Sequence, residues 1–282
     1  MKRKNPYLLP LRILAFAMLC AVALMMTAPF LWMLLTSLKT QQEAFQFPPS
    51  LLPARPVWEN YTQLFTLVPF GRYFLNTLVV TVAVVIGQLF VCSLAAYAFA
   101  RLNFMGRDAL FVLYLATMMV PFQVTLIPLY LLVFQLGWVN TYWGLIAPGL
   151  SSAYGIFLLR QAFLTVPQEL VDAARIDGAS EFTIYRRVFL PMNGPSLATL
   201  GVFAFLGTWT DLLWPLLIVR DPQMRTLELG LAYFQSAVPQ FVQPNWPLLM
   251  AAAVVVMLPV IVVYLAAQRY FVEGISLGSV KG

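Results

Sequence analysis

The chain has 282 residues, 61% of them hydrophobic and only 10% charged, with a mean hydropathy of +0.81; a soluble globular domain, in which roughly a quarter of residues carry charge, is excluded. The formal charge of +6 reads as the cytoplasmic bias of Lys and Arg in membrane proteins rather than as a nucleic-acid footprint. There is no histidine, which removes His-based zinc sites and every Ser/His or Cys/His catalytic pair. Cys20 and Cys92 stand apart in apolar runs, where they read as packing residues and make neither a metal motif nor a disulfide framework.

At about 20 apolar residues per span, the pattern predicts an all-α polytopic membrane protein, one transmembrane domain over residues 1–282 with six transmembrane helices. Lys2, Arg3 and Lys4 precede a first helix at 11–38, too long for a signal-peptide core and lacking a cleavage site, so it is read as retained, with a kink at Pro29. Residues 39–72 are polar, aromatic and Pro-rich. They are expected to form an ordered outer loop, with Trp58, Tyr61 and Phe65 either at the membrane surface or against a soluble partner. Helix two is placed at 74–100. Helix three, at 109–136, carries Pro121 and Pro128 around Gln123 and Thr125, which predicts a bent or broken span that either lines a pathway or packs as a kink. Helix four is placed at 144–163, helix five at 196–219 and helix six at 246–268. In this arrangement 12 Lys and Arg fall on the cytoplasmic side and five outside, of 17 in all, so both termini are expected in the cytoplasm.

The longest polar, helix-forming stretch is 165–191. Pro167 ends the preceding helix, and Thr165 with Gln168 has the spacing of a capping box. Gln168 to Ile176 then reads as a short helix with Glu169 and Asp172 early, Arg175 late and Gly178 as its stop. Ser180 is placed to cap a second short helix with Glu181 in its first turn and Arg186 and Arg187 in its last, before Pro191. Phe182 and Tyr185 lie one turn apart, as an apolar anchor for a groove on a soluble partner. The stretch therefore predicts a two-helix docking hairpin on the cytoplasmic face.

Asp172, Ala173, Ala174, three residues, Gly178, nine residues, then Val188, Leu190 and Pro191 resembles the EAA signature of permease subunits of ATP-binding-cassette (ABC) importers, with Asp for Glu and Val for Ile. ARIDGAS at 174–180, NTL at 76–78, WTDLLWPL at 209–216 and the ending QRYFVEGISLGSVKG are similar to the carbohydrate-uptake branch, the maltose-type permeases. Thr210 stands where that branch more often has Asn. The resemblance implies a translocation subunit without enzymatic activity in a prokaryotic inner membrane. It implies a second related permease, a homodimeric ABC ATPase holding ATP and Mg, and an extracytoplasmic solute-binding protein delivering a di- or oligosaccharide. It further implies that Asp177 belongs with the coupling residues named above, and that the tail 274–282, with Gly274, Gly278 and Lys281, is a second ATPase contact; the bland reading of that tail is a frayed terminus.

Asp211 is the one acid placed within a span, flanked by Trp209 and Trp214. A carboxylate there either meets a solute or accepts hydrogen bonds from backbone freed near Pro215. Gln123, Thr125, Trp209, Thr210, Asp211 and Trp214 are the candidate pathway residues. The competing solutes are a polyol or a glycerophosphodiester. The competing classes are an ion-coupled secondary transporter, with only Asp211 as an intramembrane carrier, and an intramembrane enzyme, for which no convergent nucleophile and base can be found. No GxxxxGK[ST] phosphate loop is present.

Overall fold

A computed structural model describes residues 8–234 and 245–279, with side chains described for 12–234 and 245–268. Among these the chain is helical with no strand. Four helices are long and apolar enough to cross a membrane, and six spans result if each of two bent pairs is counted as one. The chain divides into two compact units, residues 1–68 with 233–257, and residues 69–232 with 258–282.

The first unit begins with α1 (Leu8–Ser37), which contains Pro29 and whose residues 12–32 are exposed throughout, as suits a helix surrounded by lipid or partner helices. Two short helices follow, α2 (Gln41–Ala44) and α3 (Glu59–Leu67). The segment that follows α1 is tied down by its own polar groups. Lys39 is buried, donates to the carbonyl of Ser50 and lies 4.9 Å over the Trp32 ring. The Asn60 amide donates to Ser37 O at 2.8 Å and Lys39 O at 3.0 Å. The expected helix around Tyr61 forms, with Trp58 and Phe65 exposed and the Tyr61 hydroxyl 2.7 Å from that of Ser37.

The second unit is built on α4 (Phe70–Arg101), which begins four residues before the expected 74 because Pro69 needs no N–H partner at a helix entry. The next helices are α5 (Arg107–Ala116) and α6 (Phe122–Gln135). They are the expected broken third span, bent by 104° around Pro121, while Pro128 is accommodated inside α6. The fourth span is interrupted where one helix was expected. α7 (Tyr142–Ile146) passes through a tight turn at Ala147–Leu150 containing Pro148, and α8 (Ala153–Leu164) restarts with Ser152 as its cap.

The polar hairpin comprises α9 (Gln168–Ile176) and α10 (Glu181–Ile184), then a wide π-helical turn at Tyr185–Phe189 and α11 (Leu190–Met192). Two local expectations are corrected here. Thr165 makes no capping box, because its hydroxyl donates back to Ala162 O at 2.8 Å and the residue before α9 is Pro167. Pro191 does not end the second arm; it sits in the first turn of α11, where a missing N–H costs little. The chain turns by 81° beyond it, at Asn193, whose buried amide donates to Phe189 O at 2.8 Å.

The stretch expected as one continuous helix over 196–219 is instead α12 (Gly194–Trp209) followed by α13 (Leu213–Ile218). After α14 (Leu227–Ala232), the last helix, α15 (Trp246–Ser279), runs past the expected end at 268. Gly274 and Gly278 fall on its backbone, whereas Lys281 lies outside the described residues, as do residues 235–244. At the start of α4, Asn76 donates to Gln223 O and Arg225 O and accepts from the Tyr142 hydroxyl, while the Thr77 hydroxyl accepts from Leu227 N. These two residues hold the segment before α14 against α4.

Candidate functional site

The hairpin takes its shape from three local devices. Gly178 has φ +77°, and with Gly178 N bonded to Arg175 O and Ala179 N to Ala174 O it completes a Schellman cap, which needs a left-handed residue. The Ser180 hydroxyl accepts from Thr183 N and opens the second arm. Arg175 then bridges the two arms through Glu181, Nη2 to Oε1 at 2.9 Å. The Glu181 carboxyl, outside the apolar spans, is held below its ordinary value by the Tyr97 hydroxyl and then by Arg175, against an opposing contribution from burial.

Burial divides the hairpin into two faces. Val171, Ile184, Tyr185 and Phe189 are buried in a core shared with Tyr97 of α4 and Phe163 of α8. Glu169, Asp172, Ala173, Asp177, Gly178, Phe182, Arg186, Arg187 and Pro191 are exposed, whereas Ala174 and Leu190 are half-buried. Tyr185 is therefore corrected as an anchor: it is 4% exposed and its hydroxyl lies 2.7 Å from that of Ser93. Phe182, at 59% exposure, remains on the open face, and Ile176, at 86%, joins it. Ile176 was missed because it directly precedes the Asp177–Gly178 stop and was counted only as the end of a helix. An exposed isoleucine beside a polar turn is the available signal. The open face thus offers an apolar centre with acids on α9 and arginines on the second arm, a pattern that fits a groove of mixed charge.

A separate cavity of about 280 Å³ lies within the second unit, among α4, α6, the α7–α8 segment and α12. Asp211 and Trp214 line it, together with Gln88, Ser152, Tyr154 and Thr208, which the sequence reading did not single out, and the rings of Phe122 and Phe203. Asp211 also has a structural role: its Oδ1 accepts from Trp214 N at 3.3 Å at the start of α13, and Trp214 Nε1 donates to Gly144 O at 2.9 Å. The other pathway candidates are not brought together here. Trp209 is 1% exposed and stacks on Phe205 at 5.3 Å, Thr210 donates to Leu206 O at 2.8 Å, and Gln123 and Thr125 do not line the cavity. Gln88 is an amide within an apolar helix, a signal as readable as Asp211.

Bent apolar helices, a cavity that holds a carboxylate and an amide, and an exposed polar hairpin fit the membrane subunit of a transport machine. Comparison with known proteins makes the class specific. Residues 88–277 match the family described as binding-protein-dependent transport system inner membrane component, and the chain belongs to that family. It is 34% identical to the arabinooligosaccharides transport system permease protein AraQ of Halalkalibacterium halodurans, covering 100% of both chains. It is also 34% identical to the sn-glycerol-3-phosphate transport system permease protein UgpE of Agrobacterium fabrum, over 94% of this chain and 95% of that one. A crystal structure of a bacterial ABC transporter involved in the import of the acidic polysaccharide alginate contains a chain of the same fold, with TM-score 0.83 and 23% identity over 96% of this chain and 100% of that one. The chain is thus a membrane-spanning permease subunit of the ABC importer class.

Proposed function

We propose that this chain translocates a carbohydrate, a di- or oligosaccharide, across the cytoplasmic membrane by alternating access, driven by ATP on separate subunits. The observation that carries the solute assignment is end-to-end similarity to two arabinooligosaccharide permeases, from Halalkalibacterium halodurans and Bacillus subtilis. A glycerol phosphate is the second reading, favoured by the nearly full-length similarity to UgpE. In this account the chain has six spans with both termini cytoplasmic, pairs with a second related permease, and receives solute from an extracytoplasmic binding protein.

The hairpin at 165–191 docks in a homodimeric ATPase that holds ATP and Mg; this chain binds no cofactor of its own. Glu169, Asp172, Ala173, Asp177, Gly178, Phe182, Arg186 and Arg187 face the ATPase, while Ala174, Tyr185, Leu190 and Pro191 keep the hairpin in shape. Gly274, Gly278 and Lys281 form a second contact. The cavity at Asp211 and Trp214 is this subunit's wall of the solute path, with Gln123, Thr125, Trp209 and Thr210 behind or beside it.

The test is uptake into vesicles containing the two permeases, the ATPase and the binding protein, offered arabinotriose or sn-glycerol-3-phosphate. ATP-dependent entry of arabinotriose alone is expected. Entry of sn-glycerol-3-phosphate alone would replace the first reading by the second.

A further inference from the structure

Three side chains on α4, spaced four residues apart on one stripe, each bond to the hairpin or its root. The Ser93 hydroxyl meets the Tyr185 hydroxyl at 2.7 Å. The Tyr97 hydroxyl donates to Glu181 Oε2 at 2.6 Å. Arg101 donates to Gln168 Oε1 at 2.8 Å, to Phe163 O at 2.7 Å and to Val166 O. Residues four apart lie above one another on a helix, about 6 Å apart along its axis, so the stripe is a ladder of rungs.

The rung nearest the core is closed from water, with Ser93 2% and Tyr185 4% exposed; in the next, Tyr97 is 4% exposed while its partner Glu181 is exposed. Separating a buried pair leaves polar groups unsatisfied, so α4 and the hairpin move together more readily than they slide apart. The Tyr97 ring also packs on Tyr185 and Phe189, with centroids at 5.5 Å and 5.0 Å. By contrast, the covalent connections of the hairpin are joints, the Thr165–Pro167 link on one side and the 81° turn at Asn193 on the other. Arg101 crosses the first joint, bonding both the end of α8 and the first residue of α9. The far side of α4 supplies Val84 and Gln88 to the cavity. One continuous helix therefore connects the hairpin with the cavity wall, without passing through either joint.

We propose that Ser93, Tyr97 and Arg101 are positioning residues that make α4 the rod by which displacement of the hairpin reaches the cavity wall. This rests on the reading that the hairpin docks on an ATPase. It predicts that loosening a rung separates nucleotide binding from opening of the cavity. A merely structural role would instead change assembly.

The test uses this chain with its partner permease and ATPase dimer in proteoliposomes, in a Cys20→Ser background carrying Gly207→Cys as reporter. Gly207 lines the cavity and a Cβ there meets nothing within 4 Å, while Cys92 is buried. A membrane-impermeant maleimide reads accessibility from outside, with and without ATP and orthovanadate. The parent is expected to change its labelling on vanadate trapping. Tyr97→Phe, which keeps the ring, is expected to trap nucleotide as the parent does while the labelling change shrinks about two- to tenfold, the range set by one hydrogen bond. Ser93→Ala, which removes a single hydroxyl group, is read in the same way. A parent-sized labelling change in both variants would overturn the proposal, as would loss of the bound ATPase in both. A parent that binds no ATPase, or shows no nucleotide-driven change, would overturn the transport reading and this inference with it.

Discussion

The tightest constraints in the hairpin fall on single residues. Gly178 is left-handed with open space where a Cβ would stand, so Gly178→Ala introduces backbone strain and no clash. It is expected to destabilise the hairpin by about 1–2 kcal/mol, read as faster amide exchange at Ala179. Glu181 gives a pH signature. A carboxylate depressed in the folded state contributes stability that is fully present above its ordinary value of 4.5 and is lost as pH falls through the lower folded value. Protection of the Thr183 and Ile184 amides, corrected for intrinsic exchange, is therefore expected to be flat from about pH 8 to about pH 5 and to fall in more acid solution. Glu181→Gln is expected to flatten the profile; an unchanged acid limb in that variant would remove Glu181 as its cause.

At the scale of elements, the second arm depends on its cap. Ser180→Ala removes the acceptor for Thr183 N and is expected to cost about 1 kcal/mol, seen as fraying of α10 in amide exchange while α9 keeps its protection. The limits of α9 were legible because charge order, a proline before and a glycine after all act locally. The π-helical turn at Tyr185–Phe189 was not, since it depends on burying Tyr185 and Phe189 against α4 and α8, contacts that no local pattern encodes. The same gap hid the burial of Tyr185: an aromatic one turn from Phe182 looks alike whether it faces a partner or Ser93. The breaks at Ala147–Leu150 and Thr210–Leu212 were blurred by hydropathy, which registers the apolar Leu212 and Leu213 and passes over the Asp211 carboxylate bonded to Trp214 N. Asn76 shows the reverse case. The NTL motif was read only as a likeness, yet the Asn76 amide bonds two carbonyls and a tyrosine. Asn76→Leu is expected to unmoor residues 223–227 and cost about 1–3 kcal/mol, measured as a lower melting temperature of the purified complex.

For the whole molecule, the bent spans, the cavity and the hairpin serve one account, in which force applied at one polar surface changes access at another. Composition made the membrane class legible, and the EAA spacing made the family legible. The cavity needed the fold, because Gln88, Tyr154 and Asp211 come from three separate helices and segments. The hairpin is proposed to receive that force from an ATPase. Phe182 is the large exposed apolar residue of α10, and replacing an anchor of this kind costs about thirtyfold in affinity. The most direct measurement is co-purification of the ATPase with the permease pair, combined with uptake in vesicles, for the native chain and for Phe182→Asp. The native chain is expected to retain ATPase and to import solute, and Phe182→Asp to lose both together. Undiminished uptake by a permease pair with no ATPase bound would contradict the account.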